Sequence, residues 1–302
     1  MSAERIRAGI LAFAAGDAFG APWEGASSED LRRADLASLP RREDWPRGAT
    51  SDDTAQLILT AKVLCSLERD LPRHFMELLA AEFPRMRGVG PTTTKAVRRW
   101  EESDLLEAAE GGTNGAAMRA LPIGWATPAD DPGLRRRRVL SLSRTTHGAP
   151  GALIAAGTVA AMGSLSLVQV SIEAICEGAS AEVAALREAL QADVEIDALA
   201  DAAEGAWTPP AAGVSLDAIE TAAAVLHVLS STEGLADGIE AAIRLGGDTD
   251  TVAAIVAGVL GARGADPAEE LPWFGLVQLP DASLVDELAS GLAQKRRLTT
   301  SS

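Results

Sequence analysis

Tyrosine is absent from the 302-residue chain, and aromatic residues make up only 4 % of it. So few rings exclude a core built on aromatic stacking and leave any nucleotide pocket short of faces against which a base could lie. Trp125 stands only as a guess for such a contact. Only two cysteines, Cys65 and Cys176, are present. They fall in helix-patterned segments without metal-ligand spacing, which reads as two small buried hydrophobes in a reducing compartment, not a disulfide framework. Positive charge is scarce as well: 27 basic residues face 43 acidic ones, a formal charge of −16. Such a surface repels phosphate backbones, so direct nucleic-acid binding is not expected. No apolar run reaches the ~20 residues of a membrane span. Arg5 and Arg7 ahead of the apolar stretch 8–15 imitate a short signal peptide, but Asp17 interrupts it and Ile6, Ile10 and Phe13 keep helical spacing. The expectation is a soluble, cytoplasmic protein with no membrane partner.

What is abundant is small and apolar. Hydrophobic residues form 47 % of the chain, and many are alanine, which favours helix over strand. Apolar residues recur at three- and four-residue steps over 3–16, 52–69, 72–83, 92–100, 115–124, 133–144, 149–163, 180–191, 195–206, 215–230, 233–245, 250–264 and 282–295. The stretch "SLSLVQVSI" at 164–172 fits either an edge strand or a helix beginning at Ser166. No compositional shift divides the chain. The pattern predicts an all-α fold, a compact single-domain multi-helix bundle over residues 1–296, with a disordered polar tail at 297–302 and a monomeric state.

The informative residues gather in loops that run into or out of these helices. In "TSDDT" at 50–54, Ser51 is placed to cap a helix, and Asp52 and Asp53 sit at the positive end of its dipole, worth about 0.3–1 kcal/mol each. In "GGDTDT" at 246–251, Asp248 or Thr249 could cap a helix beginning near Asp250. Each cluster alone is explained by capping. Together they hold more oxygen than capping needs, and neither contains His or Cys. Carboxylates and hydroxyls suit Mg²⁺, Mn²⁺ or Ca²⁺ better than zinc. Four converging carboxylates would repel one another unless some are protonated or a cation lies between them.

Five motifs in order, "GDAFGAPWE" at 16–24, "TSDDT" at 50–54, "GGTNGAAMRALPIG" at 111–124, "THGAP" at 146–150 and "GGDTDTVAAIVAGVLGA" at 246–262, span almost the whole chain. In these the sequence resembles the ADP-ribosylglycohydrolases, also called the dinitrogenase-reductase-activating glycohydrolase family. The resemblance implies an all-α fold with a central cleft holding a binuclear centre of two Mg²⁺ ions, Mn²⁺ being an alternative. It implies metal ligands at Ser51, Asp52, Asp53, Asp248, Asp250 and Thr251, with Thr249 turned away to cap its helix. It implies hydrolysis of the bond between C1″ of ADP-ribose and an acceptor on a protein or small conjugate. Arginine is the favoured acceptor and serine the runner-up, with ADP-ribose as product.

By the same resemblance Glu24, Asp52, Asp53 and Asp250 are the catalytic candidates, Glu24 as acid, base or metal contact, and Asp17 serves the turn and orients a ligand. Gly112, Thr113, Asn114 and Gly115 are candidates for substrate binding, because backbone N–H groups of a glycine-rich loop entering a helix suit a pyrophosphate. His147 joins them from "THGAP"; Arg119 reads as a structural bridge between helices. Two rivals are weaker. Isoprenoid synthases also use aspartate-rich helices, but they call for a third acid where this chain has Gln56 and for more aromatic surface. A binding or structural protein on the same scaffold would be favoured by a lost aspartate, and none is lost.

Overall fold

The computed structural model describes residues 2–42, 44–168, 170–232 and 234–299. Its α-helices, in chain order, are α1 (Ser2–Gly20), α2 (Ser28–Leu31), α3 (Asp52–Cys65), α4 (Leu71–Glu82) and α5 (Pro91–Ser103). They continue with α6 (Leu121–Trp125), α7 (Pro132–Ser143), α8 (Pro150–Ser166), α9 (Ile172–Leu190) and α10 (Asp197–Ala203). The series ends with α11 (Ala218–Ser231), α12 (Leu235–Arg244), α13 (Thr249–Arg263), α14 (Pro267–Glu270) and α15 (Ala282–Thr299). Among the described residues there is no strand, only two isolated bridges, Thr113 with Asp217 and Val214 with Gly247. The fold is all-α in one unit, and no described helix is long and apolar enough to cross a membrane.

Two helices are buried on every side and form the centre. In α8 and α13 almost every residue is shielded from water, as expected of helices that are apolar all round. Against α13 lies α1, and the two approach through small residues. A Cβ at Gly16 would stand 2.4 Å from the Ala253 carbonyl oxygen, and one at Gly20 would stand 2.5 Å from that of Thr249. These contacts explain why α1 continues to Gly20, past the glycine at which the sequence pattern ends it. The entropy cost of glycine in a helix is offset by packing that no larger residue permits.

Elsewhere the differences from the sequence pattern have local causes. Among the described residues of 164–172 there is no strand and no helix beginning at Ser166: α8 ends at Ser166, and Ser171 caps α9 by accepting a bond from the Ala174 N–H at 3.3 Å. Helix α9 therefore begins eight residues before the periodic segment at 180–191, because a cap and a solvated first turn carry no apolar signal. The segment 115–124 splits into a 3-10 turn over Asn114–Ala116 and the short α6, with Pro122 in the first turn of α6. Part of the polar tail at 297–302 lies outside the described residues, while α15 continues through Thr299.

The α1–α13 contact gives a stability test. Gly20→Ala should destabilise the protein by about 1–3 kcal/mol, as overpacking against fixed backbone does, read as a lower melting temperature. Gly275→Ala, which adds a methyl where nothing lies within 4 Å, should leave the melting temperature unchanged.

Candidate functional site

Asp17 organises the first half of the site from inside α1. Its fully buried carboxylate accepts from the Ser51 N–H at 2.9 and 3.1 Å, and from the Thr54 N–H and hydroxyl at 3.1 and 2.5 Å. It thereby takes up donors that the first turn of α3 leaves unpaired. Ser51 completes the cap, its Oγ accepting from the Asp53 N–H at 3.1 Å. The Asp52 N–H donates to the Arg87 carbonyl at 2.7 Å. With the backbone so engaged, the side chains of Asp52 and Asp53 project into a common chamber.

The second half rests on a loop that needs glycine twice. Gly246 and Gly247 both have positive φ, 75° and 74°, and a Cβ at Gly247 would lie 2.0 Å from the Val214 carbonyl oxygen. That close approach lets the Asp248 N–H donate to Val214 at 2.8 Å and the Gly25 N–H donate to Gly247 at 2.8 Å. The loop before α11 is a strut: it pairs with Gly246 and Asp248 on one side, and its Leu216 carbonyl accepts from the Asn114 N–H at 3.0 Å on the other. Helix α13 starts after Asp248, whose carboxylate makes no cap and stays free for the chamber. Thr249 does turn away from the site, but its hydroxyl donates to the Gly20 carbonyl at 2.9 Å; the cap expected of it is replaced by a tie to α1.

The two halves close on a chamber of about 50 Å³ lined by Glu24, Asp52, Asp53, Asp248, Asp250 and Thr251, together with Thr113, Asn114, Gly115 and His147. Oxygens of Glu24, Asp248 and Asp250 lie within 4.8 Å of one another. Thus ten of the twelve sequence candidates line one space. Ser51 and Gly112 do not: Ser51 is used as a cap, and the Gly112 carbonyl accepts from the Ala218 N–H at 3.1 Å. In the glycine-rich loop the Asn114 N–H is already bonded, to the Leu216 carbonyl, and Asn114 opens a single 3-10 turn. The Asn114 side chain donates to Asp248 and, at 2.8 Å, to Thr221, so it orients a carboxylate. Trp125 is wholly buried against Gly9, in the core and not at the site.

Burial of these acids has electrostatic consequences. It pushes the Asp52 carboxyl up to about 7, with the charges of Asp17 and Asp248 adding to the effect. It pushes Asp248 up to about 6, against bonds from Asp250 and Asn114, with Glu24 adding to the rise. Asp53 and Asp250 lie well above the usual range, again through burial first and neighbouring carboxylates second. One oxygen of Asp53, Oδ2, is buried without a hydrogen-bond donor. Such a group is costly unless something cationic faces it. An all-oxygen, charge-rich donor set with an orphaned lone pair fits a hard divalent ion.

Sequence reasoning missed three supports, Gln56, Arg42 and Trp45, whereas Arg119 and His147 are among the residues the motifs single out. Gln56 donates to Asp52 at 2.7 Å and accepts from Arg119 at 3.1 Å; its position one turn after Asp52 was the available signal. Arg119, buried across the Phe75 ring, also donates to the Gly115 and Leu142 carbonyls and to the Thr146 hydroxyl, as a bridge between elements. His147 is bonded through Nδ1 to Thr146 at 2.7 Å and through Nε2 to Thr113 at 3.0 Å. Burial, with Arg119 nearby, lowers the His147 ring to about 3, so it is neutral near pH 7. Arg42 and Trp45, in the loop before α3, stand at the mouth: Arg42 pairs with Glu24 and lies 3.6 Å from Asp250. No pattern in the sequence announces them.

Comparison with known proteins places this architecture. A family model described as ADP-ribosylglycohydrolase matches residues 2–301. A protein of Archaeoglobus fulgidus described as uncharacterized is 27 % identical over 302 residues, covering 96 % of each chain. A solved structure titled "ADP-ribosylglycohydrolase-related protein complex" superposes with a TM-score of 0.77 at 27 % identity, covering 97 % of this chain and 98 % of that one.

The raised acids set the sign of a pH effect. A folded carboxyl that titrates above its unfolded value of 3.8 keeps a proton the unfolded chain has lost. Its stabilisation is full below pH 3.8 and disappears as pH rises through about 7 for Asp52. His147 acts in the opposite sense below its unfolded value of 6.5, so the clean window lies above it. Metal-stripped protein should melt progressively lower from pH 6.5 to about 8, and Asp52→Asn should flatten that slope, as followed by thermal denaturation in chelator.

Proposed function

Because the chain belongs to the ADP-ribosylglycohydrolase family, we propose that it is a hydrolase that releases ADP-ribose by cleaving the bond between C1″ and an acceptor. The acceptor we favour is arginine on a protein, and the cofactors two Mg²⁺ ions, with Mn²⁺ able to replace them. One observation carries this reading: Asp52, Asp53, Asp248 and Asp250 meet in a buried chamber that leaves Asp53 Oδ2 without a donor. A compact polar site with no cation would relieve that charge only by protonation. The family match supports a hydrolase, and the carboxylates supply the residues for it.

Asp52, Asp53, Asp248, Asp250 and Thr251 would hold the ions, with Glu24 as a further contact from the rim, and the ions when bound would supply Lewis acidity for a water and for ribose hydroxyls. The chain's own groups do the rest. Gln56 and Asn114 hold the Asp52 and Asp248 carboxylates in one orientation each, the kind of support that keeps a ligand set preorganised. Glu24, at the rim, is the carboxylate best placed to exchange a proton with an entering acceptor. Neutral His147, tied to Thr113, shapes the wall and is not a proton donor at neutral pH. Carboxylates on both sides favour the positive charge that develops at C1″ as the acceptor departs. The chamber itself, about 50 Å³, has room for little more than one or two waters. The rest of the substrate would lie in the adjoining groove of about 470 Å³, which shares Pro91 with it and carries Lys95 and Arg99.

Hydrolysis of ADP-ribose conjugates should require Mg²⁺ or Mn²⁺ and stop in chelator. Asp52→Ala and Asp250→Ala should each reduce turnover by on the order of 100-fold or more while the helical content is unchanged. Asn114→Ala and Gln56→Ala should cost roughly 10–100-fold in metal affinity or activity, as losses of supporting bonds do. Arginine-, serine- and nucleic-acid-linked conjugates compared side by side identify the acceptor. Wild-type rates and unaltered metal demand in both aspartate variants would remove the metal mechanism.

A further inference from the structure

Arg42 is the one described cation paired with the acids at the mouth, and its placement is unusual for a surface arginine. It pairs with Glu24 Oε2 and stands 3.6 Å from Asp250 Oδ2, two of the three acids whose oxygens converge within 4.8 Å. Its Nη1 is buried, yet finds no acceptor in good hydrogen-bond geometry. The contact is thus one of charge more than of directed bonding. The guanidinium lies 4.4 Å from the centroid of the Trp45 ring, a cation–π arrangement. Trp45 in turn closes on Gly88, a lining residue of the chamber, with a ring carbon 3.2 Å from where a Cβ would be.

The base of this loop is held by several bonds. Arg47 donates to the carbonyls of Leu39 and Ser38 at 2.8 and 2.5 Å. Leu36 and Leu39 are buried, and the Gln278 N–H donates to Gly48 at 2.8 Å. By contrast Arg42 reaches the site through its charge, and Trp45 through contact with Arg42 and Gly88. The chamber they help to close is narrow, about 50 Å³.

We propose that Arg42 is a resident counter-ion that competes with a divalent cation for Glu24 and Asp250, so that metal binding displaces Arg42 and Trp45 from the mouth of the chamber. The same carboxylate oxygens cannot serve a guanidinium and a metal ion at once, so each occupant weakens the other by the same factor. Occupancy by metal then favours the arrangement in which the mouth is clear, and the free protein is kept closed and charge-compensated by its own side chain. This rests on the reading of the chamber as a divalent-cation site, and it adds the group that the ion must displace.

The test is metal binding itself, measured by calorimetry with Mg²⁺ and with Mn²⁺ on wild type, Arg42→Ala and Asp250→Ala, their folding checked by melting curves. Arg42→Ala should bind metal more tightly by roughly 5- to 150-fold, the usual range of a coupling between two ligands. Methylguanidine added to that variant should weaken metal binding again. In wild type, Mg²⁺ should change tryptophan fluorescence, and the change should vanish in Trp45→Phe. Equal or weaker metal affinity in Arg42→Ala overturns the proposal while leaving the metal site in place. Failure of wild type and Arg42→Ala alike to bind either ion overturns both this proposal and the metal reading beneath it.

Discussion

Everything at the site depends on how closely α1 and α13 approach. Gly16 and Gly20 lie against the backbone of α13 with no room for a methyl group. Two consequences follow from that one contact. The α13 end near Gly20 fixes Thr249, and with it the direction of Asp248, Asp250 and Thr251. Between those two glycines on α1, Asp17 takes up the N-terminal donors of α3 and so aims Asp52 and Asp53. A buried carboxylate that serves as a helix cap thus links two acidic clusters that are two hundred residues apart in the chain.

Bringing those clusters together concentrates negative charge where water is scarce, and the protein manages that charge in three ways. Burial lifts the acids' affinity for protons, Asp53 and Asp250 among them. Hydrogen bonds from Gln56 and Asn114 hold individual carboxylates and keep them oriented without neutralising them. Arg42 supplies a positive charge from the mouth. Each measure is partial, since Asp53 Oδ2 still lacks a donor. A site left with a defined electrostatic deficit is poised to take up a cation, at a cost in stability that the large apolar core can carry.

Much of this was legible in the sequence for definite reasons. Helices with a periodic apolar face announce themselves, so α3, α11 and α13 begin close to where the pattern places them. The clustering of Asp52 and Asp53 behind Ser51, and of Asp248 and Asp250 behind two glycines, marked both halves of the chamber. Less visible were features whose signal is not periodic. The first turns of α9 are half solvated, and the glycines at the end of α1 look like a loop until the partner helix is known. In the glycine-rich stretch at 111–115, which looks like an amide cradle, the Asn114 N–H is taken by the Leu216 carbonyl and the Gly112 carbonyl by the Ala218 N–H.

The sequence by itself determined the all-α class, the oxygen-only chemistry of the candidate ligands and the family, because composition, periodicity and short motifs are local properties. Tertiary structure decided which oxygens face the chamber. It assigned Asn114 to Asp248, His147 to a neutral wall and Trp125 to the core. It also brought Arg42 and Trp45 to the mouth from a loop with no motif of its own. Those outcomes turn on long-range contacts between segments, and on burial, which alone raises a carboxyl's proton affinity or strips a histidine of its charge.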